Sequence, residues 1–304
     1  DKAKEAIDMA SANESSNAMS KTWYYRGLIY HTIHNDSSWS HLSEDALEIA
    51  YESFQKAMTL EDKEKYKEDI NKRVEMIGLQ FYNIGVNLCK EKRYREGLNN
   101  FKYTLKINPD DLQAIYNSAF ASYKMEDIDK AKIYYQMLID KNYDDARVYH
   151  TLADIYKTQK DTAKALEIIQ AGRVRYKDNN VLIIDELNIY LAAGKQAEAI
   201  EKLKEAITLE PNNSTLHFAL GVANDKIGNT ADAENAYKKA SEIDSNYFDA
   251  VYNLGALYFN KAVDMVKAAD DLKDPKKFEA AKAEYDQVFK TALPYLEKAL
   301  QLND

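Results

Sequence analysis

Small residues recur along this chain at a fixed interval of 34. Gly85, Ala119, Ala153, Leu187, Gly221 and Gly255 follow one another at that spacing, and five of these six are Gly or Ala. Twelve residues further on stand Gly97, Ala131, Ala165, Ala199 and Ala233, and four beyond those Phe101, Tyr135, Ile169, Leu203 and Tyr237. Three rows in phase require a chain assembled from stacked supersecondary units, each burying its apolar face on the next. Length then loses its usual meaning. A chain of 304 residues suggests two domains at about 150 residues each, whereas a stacked array grows unit by unit.

Composition decides what the unit is. With only 9 Gly and 4 Pro among 30% charged residues, the chain is poor in turn formers and rich in helix formers. The unit is therefore helical, with short connections, and small residues in phase along the chain let neighbouring helices approach closely.

This pattern resembles the tetratricopeptide repeat, with a large residue at position 4, Leu and Gly or Ala at 7 and 8, Tyr at 11, Ala at 20, an aromatic at 24, Ala at 27 and Pro at 32. Residues 180–213 supply Ile183, Tyr190, Ala199, Leu203, Ala206 and Pro211, and depart from the pattern at Glu186 and Leu187. The resemblance implies an all-α fold, an α-solenoid in which antiparallel pairs of helices A and B stack as a right-handed superhelix. It divides a single domain, 1–304, into a partial repeat at 1–17, the second helix of an incomplete pair, and repeats at 20–64, 78–111, 112–145, 146–179, 180–213, 214–247 and 248–304.

Three insertions interrupt the period. In the first repeat Trp23, Gly27 and Tyr30 are separated from Ala50, Phe54 and Ala57 by a polar stretch, HNDSSWSHLSE, with Ser43 placed to cap the next helix. Apolar residues from Tyr66 through Ile70, Val74, Ile77, Phe81 and Ile84 to Leu88 step by three or four and predict one long helix. In the last repeat both helices are lengthened around the turn KDPKK into a projecting arm, and Pro294 within the returning helix predicts a kink or break near 290–294.

A net charge of −9 disfavours nucleic acid and anionic lipid as partners. No apolar run reaches the ~20 residues of a membrane-spanning helix. Cys89 stands alone, so no internal disulfide supports the fold, and it reads as a small, buried or half-buried apolar residue. His31, His34 and His41 cluster around the first insertion but lack a Glu or Cys at ligand spacing, so no metal is expected. No phosphate loop, zinc signature or nucleophile elbow is present, so neither catalysis nor a cofactor is expected. The start at Asp1 and a likeness to envelope-associated repeat proteins give an expectation of an exported, periplasmic bacterial protein rather than a cytoplasmic one.

In the family that the pattern resembles, helix A lines the concave surface, with positions 2, 5, 6, 9, 12 and 13 turned toward a bound peptide. Carried over residue by residue, that surface displays Tyr24, Tyr82, Tyr116, His150, Phe218 and Tyr252 at position 5, Asn83, Asn117 and Asn253 at position 6, and Leu28, Val86, Phe120 and Asn188 at position 9. Two readings follow. The rings pave the wall by packing on the neighbouring A helix, or rings and amides together hold an extended peptide, the amides bonding its backbone. The family's clamp for a terminal carboxylate needs Lys at position 5, and no Lys stands there. The expected function is a non-catalytic scaffold that binds a peptide or protein segment in the groove. The alternative is an assembly module, a homo-oligomer or complex subunit joined through the arm, whose apolar residues include Val263, Met265, Val266, Phe278 and Tyr285.

Overall fold

The computed structural model describes residues 1–303, among which every regular element is helical. The chain forms two compact units, Asp1–Tyr143 and Asp144–Asp304. The first opens with α1 (Lys2–Ala12) and the single turn α2 (Glu14–Asn17). Three hairpins follow: α3 (Ser20–Asn35) with α4 (Ala46–Met58), α5 (Lys67–Lys90) with α6 (Tyr94–Ile107), and α7 (Leu112–Lys124) with α8 (Ile128–Asp140). The second unit has four: α9 (Ala146–Thr158) with α10 (Thr162–Arg175), α11 (Asn180–Ala192) with α12 (Gln196–Leu209), α13 (Ser214–Lys226) with α14 (Thr230–Ile243), and α15 (Phe248–Asp270) with α16 (Pro275–Leu302). Each is an A/B pair, and the all-α solenoid of helix pairs implied by the sequence is the fold observed.

Within each unit the B helix of one pair packs on the A helix of the next, as α6 does on α7 and α12 on α13. A helices also touch A helices, α5 against α7 in the first unit, and α9 and α13 against α11 in the second. The core lies between each A and B. Phe54, Phe101, Ile169, Ala131 and Ala165 are fully buried there, and burial of one such Phe or Ile side chain is worth roughly 1.5–3 kcal/mol.

Helix ends repeat as faithfully as helix faces. Asp111, Asp145, Asn179 and Asn213 precede successive A helices at the same 34-residue spacing, and each side chain accepts a first-turn backbone N–H. At the other end of the A helices, Lys92, Glu126, Lys160, Gly194 and Gly228 all have φ between 59° and 79°. The residue after each donates its N–H to a carbonyl five residues back, as Arg93 does to Leu88 and Lys195 to Tyr190, both at 2.9 Å. This left-handed stop turns five of the seven A helices, α5, α7, α9, α11 and α13, toward their B helices.

Four details differ from the sequence reading. Residues 1–17 are not one helix. The chain leaves α1 at Asn13, whose side chain caps α2 through Ser15 N–H at 2.9 Å. Ser43 is extended and does not cap α4. Leu42 packs into the core of the first hairpin, and the helix starts two residues later behind Asp45. His31 lies outside the polar loop, buried in α3 with Nε2 at 2.9 Å from Gln80 Oε1. Finally, α16 runs unbroken through Pro294. That proline and Lys290 both lie on the exposed side, where water satisfies the carbonyl that loses its N–H partner.

Candidate functional site

Residues assigned to the A-helix face fall into three physical groups. Some are bound up in packing. Tyr24 is half-buried, its ring stacked on Tyr66 at 4.4 Å. Its hydroxyl donates to Asp69 at 2.8 Å, and Arg73 reaches the same carboxylate at 2.6 Å. Burial and this carboxylate raise the Tyr24 pKa, while the Arg73 guanidinium first and the Tyr24 hydroxyl second hold Asp69 below its ordinary range. Phe218 packs between Tyr237 and Tyr247, with centroids at 5.9 and 5.1 Å. Leu28 lines an apolar pocket of about 320 Å³ that α1 and α3 form with Trp39 and Leu42 of the first insertion.

A second group bridges successive A helices. Asn117 Nδ2 donates to the Tyr82 hydroxyl at 3.2 Å and to the Gln113 carbonyl at 2.9 Å. In the second unit, His150 Nδ1 meets Asp185 Oδ2 at 2.6 Å. Each bridge joins position 5 of one repeat to position 6 of the next, 35 residues on. The hydrogen bond to the Asp185 carboxylate raises the His150 pKa, and the nearby Asp154 carboxylate adds to the effect against the cost of burial. Asn253 instead donates to the Asp249 carbonyl of its own helix at 2.7 Å.

The third group faces outward. Asn83 and Asn188 are exposed, and Tyr252, stacked on Phe248 at 5.8 Å, is 49% exposed. Val86, Tyr116 and Phe120 are half-buried. Tyr116 leans on Tyr143 at 5.6 Å, and Phe120 meets the edge of Tyr94 at 6.1 Å with the Lys124 ammonium 5.5 Å from its centroid. The first unit also exposes apolar side chains that the sequence reading did not single out. Met76 and Leu79 of α5 are 56% and 62% exposed. Leu79 occupies position 2 of its repeat, so the position rule could have found it; Met76 lies in the front extension, which has no counterpart in the pattern.

Beside Tyr82 the first unit opens into a cleft of about 520 Å³, lined by Glu75, Gly78, Leu79, Tyr82, Thr104, Ile107, Asn108, Asp111 and Gln113. In the second unit a cleft of about 740 Å³ lies between the start of α14 and the lengthened part of α15, with Asp225, Glu234, Asn253, Ala256, Asn260 and Lys261 among its walls. Its Glu234 accepts from Tyr258 at 2.8 Å and from Lys238 at 2.5 Å. Among the described residues no group of three or more side chains is arranged to hold a metal ion, and no helix is long and apolar enough to cross a membrane.

Comparison with known proteins gives consistent matches. The family model described as TPR repeat matches residues 188–228 and 226–261, and two models described as tetratricopeptide repeat match 88–155 and 146–172. Heat shock protein STI1 of Saccharomyces cerevisiae is 32% identical over 102 residues, 31% of this chain and 17% of that protein. The DnaJ protein P58IPK homolog of Arabidopsis thaliana is 24% identical over 220 residues, 71% of this chain and 40% of that one. The chain thus spans less than half the length of either curated relative. Among solved structures it is similar to YrrB, described as a TPR protein with an unusual peptide-binding site, at 14% identity and a TM-score of 0.41 over 57% of this chain and 89% of that one. With repeat models matching more than half of its residues and a helical hairpin recurring every 34, the chain belongs to the tetratricopeptide repeat family.

Proposed function

We propose that this chain is a protein-interaction scaffold with no chemistry of its own, and that the A-helix face of its first unit takes a peptide or protein segment. The observation that carries the reading is the uncovered apolar surface along α5, where Leu79 is exposed in the wall of the cleft beside Tyr82 and Met76 is exposed about one turn earlier on the helix. Apolar side chains at that level of exposure, grouped around a concavity on a charged surface, mark a binding face. Half-buried rings of Tyr82, Tyr116 and Phe120 supply rigid contact area, and Asn83 offers an exposed amide to a ligand backbone. Asn117 plays a different part, holding the Tyr82 ring in place. The naming of the matched relatives as heat shock and DnaJ proteins fits a role in handling other proteins.

The test is capture of partners from the native organism by the full chain and by two variants. Tyr82→Ala with Tyr116→Ala removes the rings, and Leu79→Glu places a charge on the exposed wall without touching the core. Both variants are expected to lose partners that the parent retains. Retention by both would end the groove reading.

A second reading rests on the arm. Phe259, Leu293 and Leu300 are 45%, 54% and 66% exposed on the last hairpin, and Phe259 meets Phe289 edge-on at 5.4 Å. Such a face suits self-association or docking in a complex. A sedimentation series that finds a concentration-independent monomer, with capture intact after removal of 262–288, would eliminate it.

A further inference from the structure

The cleft beside Tyr82 has a charge character that its apolar rim conceals. Its two ionisable acids are Glu75 and Asp111, and neither Lys nor Arg lines it. Neighbouring cations are committed elsewhere: Arg73 to Asp69 at 2.6 Å, and Lys141 to Asp110. Asp111 uses Oδ1 to cap the Ala114 N–H at 2.9 Å, which leaves its other oxygen for a ligand, and Glu75 is exposed on α5. Leu79 and Ile107 contribute aliphatic wall, and the Tyr82 ring is held by Asn117.

A cleft whose wall combines aliphatic side chains, two carboxylates and an aromatic ring matches one side-chain chemistry, an aliphatic stem with a cationic head. We propose that this cleft receives a lysine or arginine side chain of a partner peptide, the stem lying between Leu79 and Ile107 and the head meeting Glu75, Asp111 and the ring of Tyr82. Long cationic side chains bury their methylenes and keep the head polar. A cation near a ring and two carboxylates gains from both, and the gain grows as the cleft excludes water. The net charge of −9 draws cationic segments toward the protein at low salt. A terminal carboxylate is the wrong ligand here, because it would enter a site already holding two.

This inference rests on the A-helix face being a binding face, and one experiment separates the two. Full-length protein is passed over an array of short randomised peptides in which a central residue is fixed as Arg, Lys, citrulline or Glu. Citrulline has the shape of arginine without its charge. Arg and Lys peptides are expected to bind about tenfold more tightly than citrulline peptides, the scale of a partly desolvated ion pair with a ring contact. That preference is expected to disappear in Glu75→Gln/Asp111→Asn, where asparagine still caps α7. Equal binding of Arg and citrulline peptides, or a preference that survives the double variant, overturns the inference; so does an array on which no cationic peptide is retained. If charge-blind binding is nonetheless lost on Leu79→Glu, the face stands and only the cationic assignment falls. If binding persists in both Leu79→Glu and the Tyr82/Tyr116 variant, the face itself is wrong.

Discussion

Gly221 lies so close to the ring of Tyr237 that a methyl group on its Cα would stand 2.5 Å from two ring carbons. The same relation joins Gly27 to Phe54 and Gly85 to Phe101, each at 2.6 Å. Absence of a side chain on helix A is what admits the aromatic ring from helix B. Where position 8 carries a large residue, Leu187, its counterpart on helix B is the smaller Leu203, and the two share one core cluster.

Gly221→Ala is therefore expected to destabilise the protein although alanine is the better helix former. The propensity gain is about 1 kcal/mol, while overpacking against a ring that is 1% exposed costs roughly 1–3 kcal/mol. Urea denaturation should show a net loss, and Tyr237→Leu should lower the penalty of adding the methyl. An alanine variant as stable as the parent would mean that the ring yields and that the pairing is not tight.

The left-handed stops make a second expectation. Lys92, Glu126 and Lys160 hold the same positive φ as Gly194 and Gly228. A side chain in that conformation costs about 1–2 kcal/mol, and glycine returns about 0.5–1 kcal/mol of this as extra freedom in the unfolded chain. Each change to Gly at 92, 126 or 160 should raise the denaturation midpoint slightly, and Gly194→Lys or Gly228→Lys should lower it. The reverse order in thermal melts would refute the assignment of strain.

His150 gives a pH dependence of known sign. Its folded pKa is raised above the ordinary value by Asp185, so the folded state binds the extra proton. The resulting stability is complete below about pH 6.5 and is lost as pH rises through the folded pKa. His31 and His34 act oppositely, since burial lowers their pKa and favours folding at higher pH. The informative measurement is the difference between parent and Asp185→Asn across pH 6 to 8. The variant's deficit should be larger at the acid end, and a deficit independent of pH would exclude the ion pair.

Pro294 costs α16 one backbone hydrogen bond without breaking the helix. An interior proline typically penalises a helix by about 3 kcal/mol, less where water reaches the freed carbonyl. Pro294→Ala should raise the melting temperature by an amount corresponding to roughly 1–2 kcal/mol. No gain in calorimetry would show that the surrounding hairpin already compensates the loss fully.

Much of the fold was legible because packing at helix crossings repeats with the chain. Gly85, Ala119 and Ala153 announced the hairpins, and the run from Ile70 to Leu88 announced the long α5. The left-handed stops escaped notice because Lys92, Glu126 and Lys160 carry no composition signal; only glycine marks such a turn from sequence, and it does so at two of five repeats. Ser43 and Pro294 misled for one reason. Local preference names a cap or a break, and tertiary context decides whether Leu42 is drawn into the core first or whether the proline faces water.

The candidate face divides along the same line. Position within the repeat placed Tyr82 and Asn117 on helix A, but it could not say that the amide of one would be spent on the hydroxyl of the other, or that Tyr24 would stack on Tyr66. What the sequence determined by itself is the helical unit and its period, since these follow from helical geometry and from close approach at small residues. Which polar groups are left for a ligand, where a cleft opens beside Tyr82, and that its charges are two carboxylates were decided by the tertiary structure. Those properties depend on neighbours about 35 residues away in sequence, and only stacking brings them within hydrogen-bonding distance.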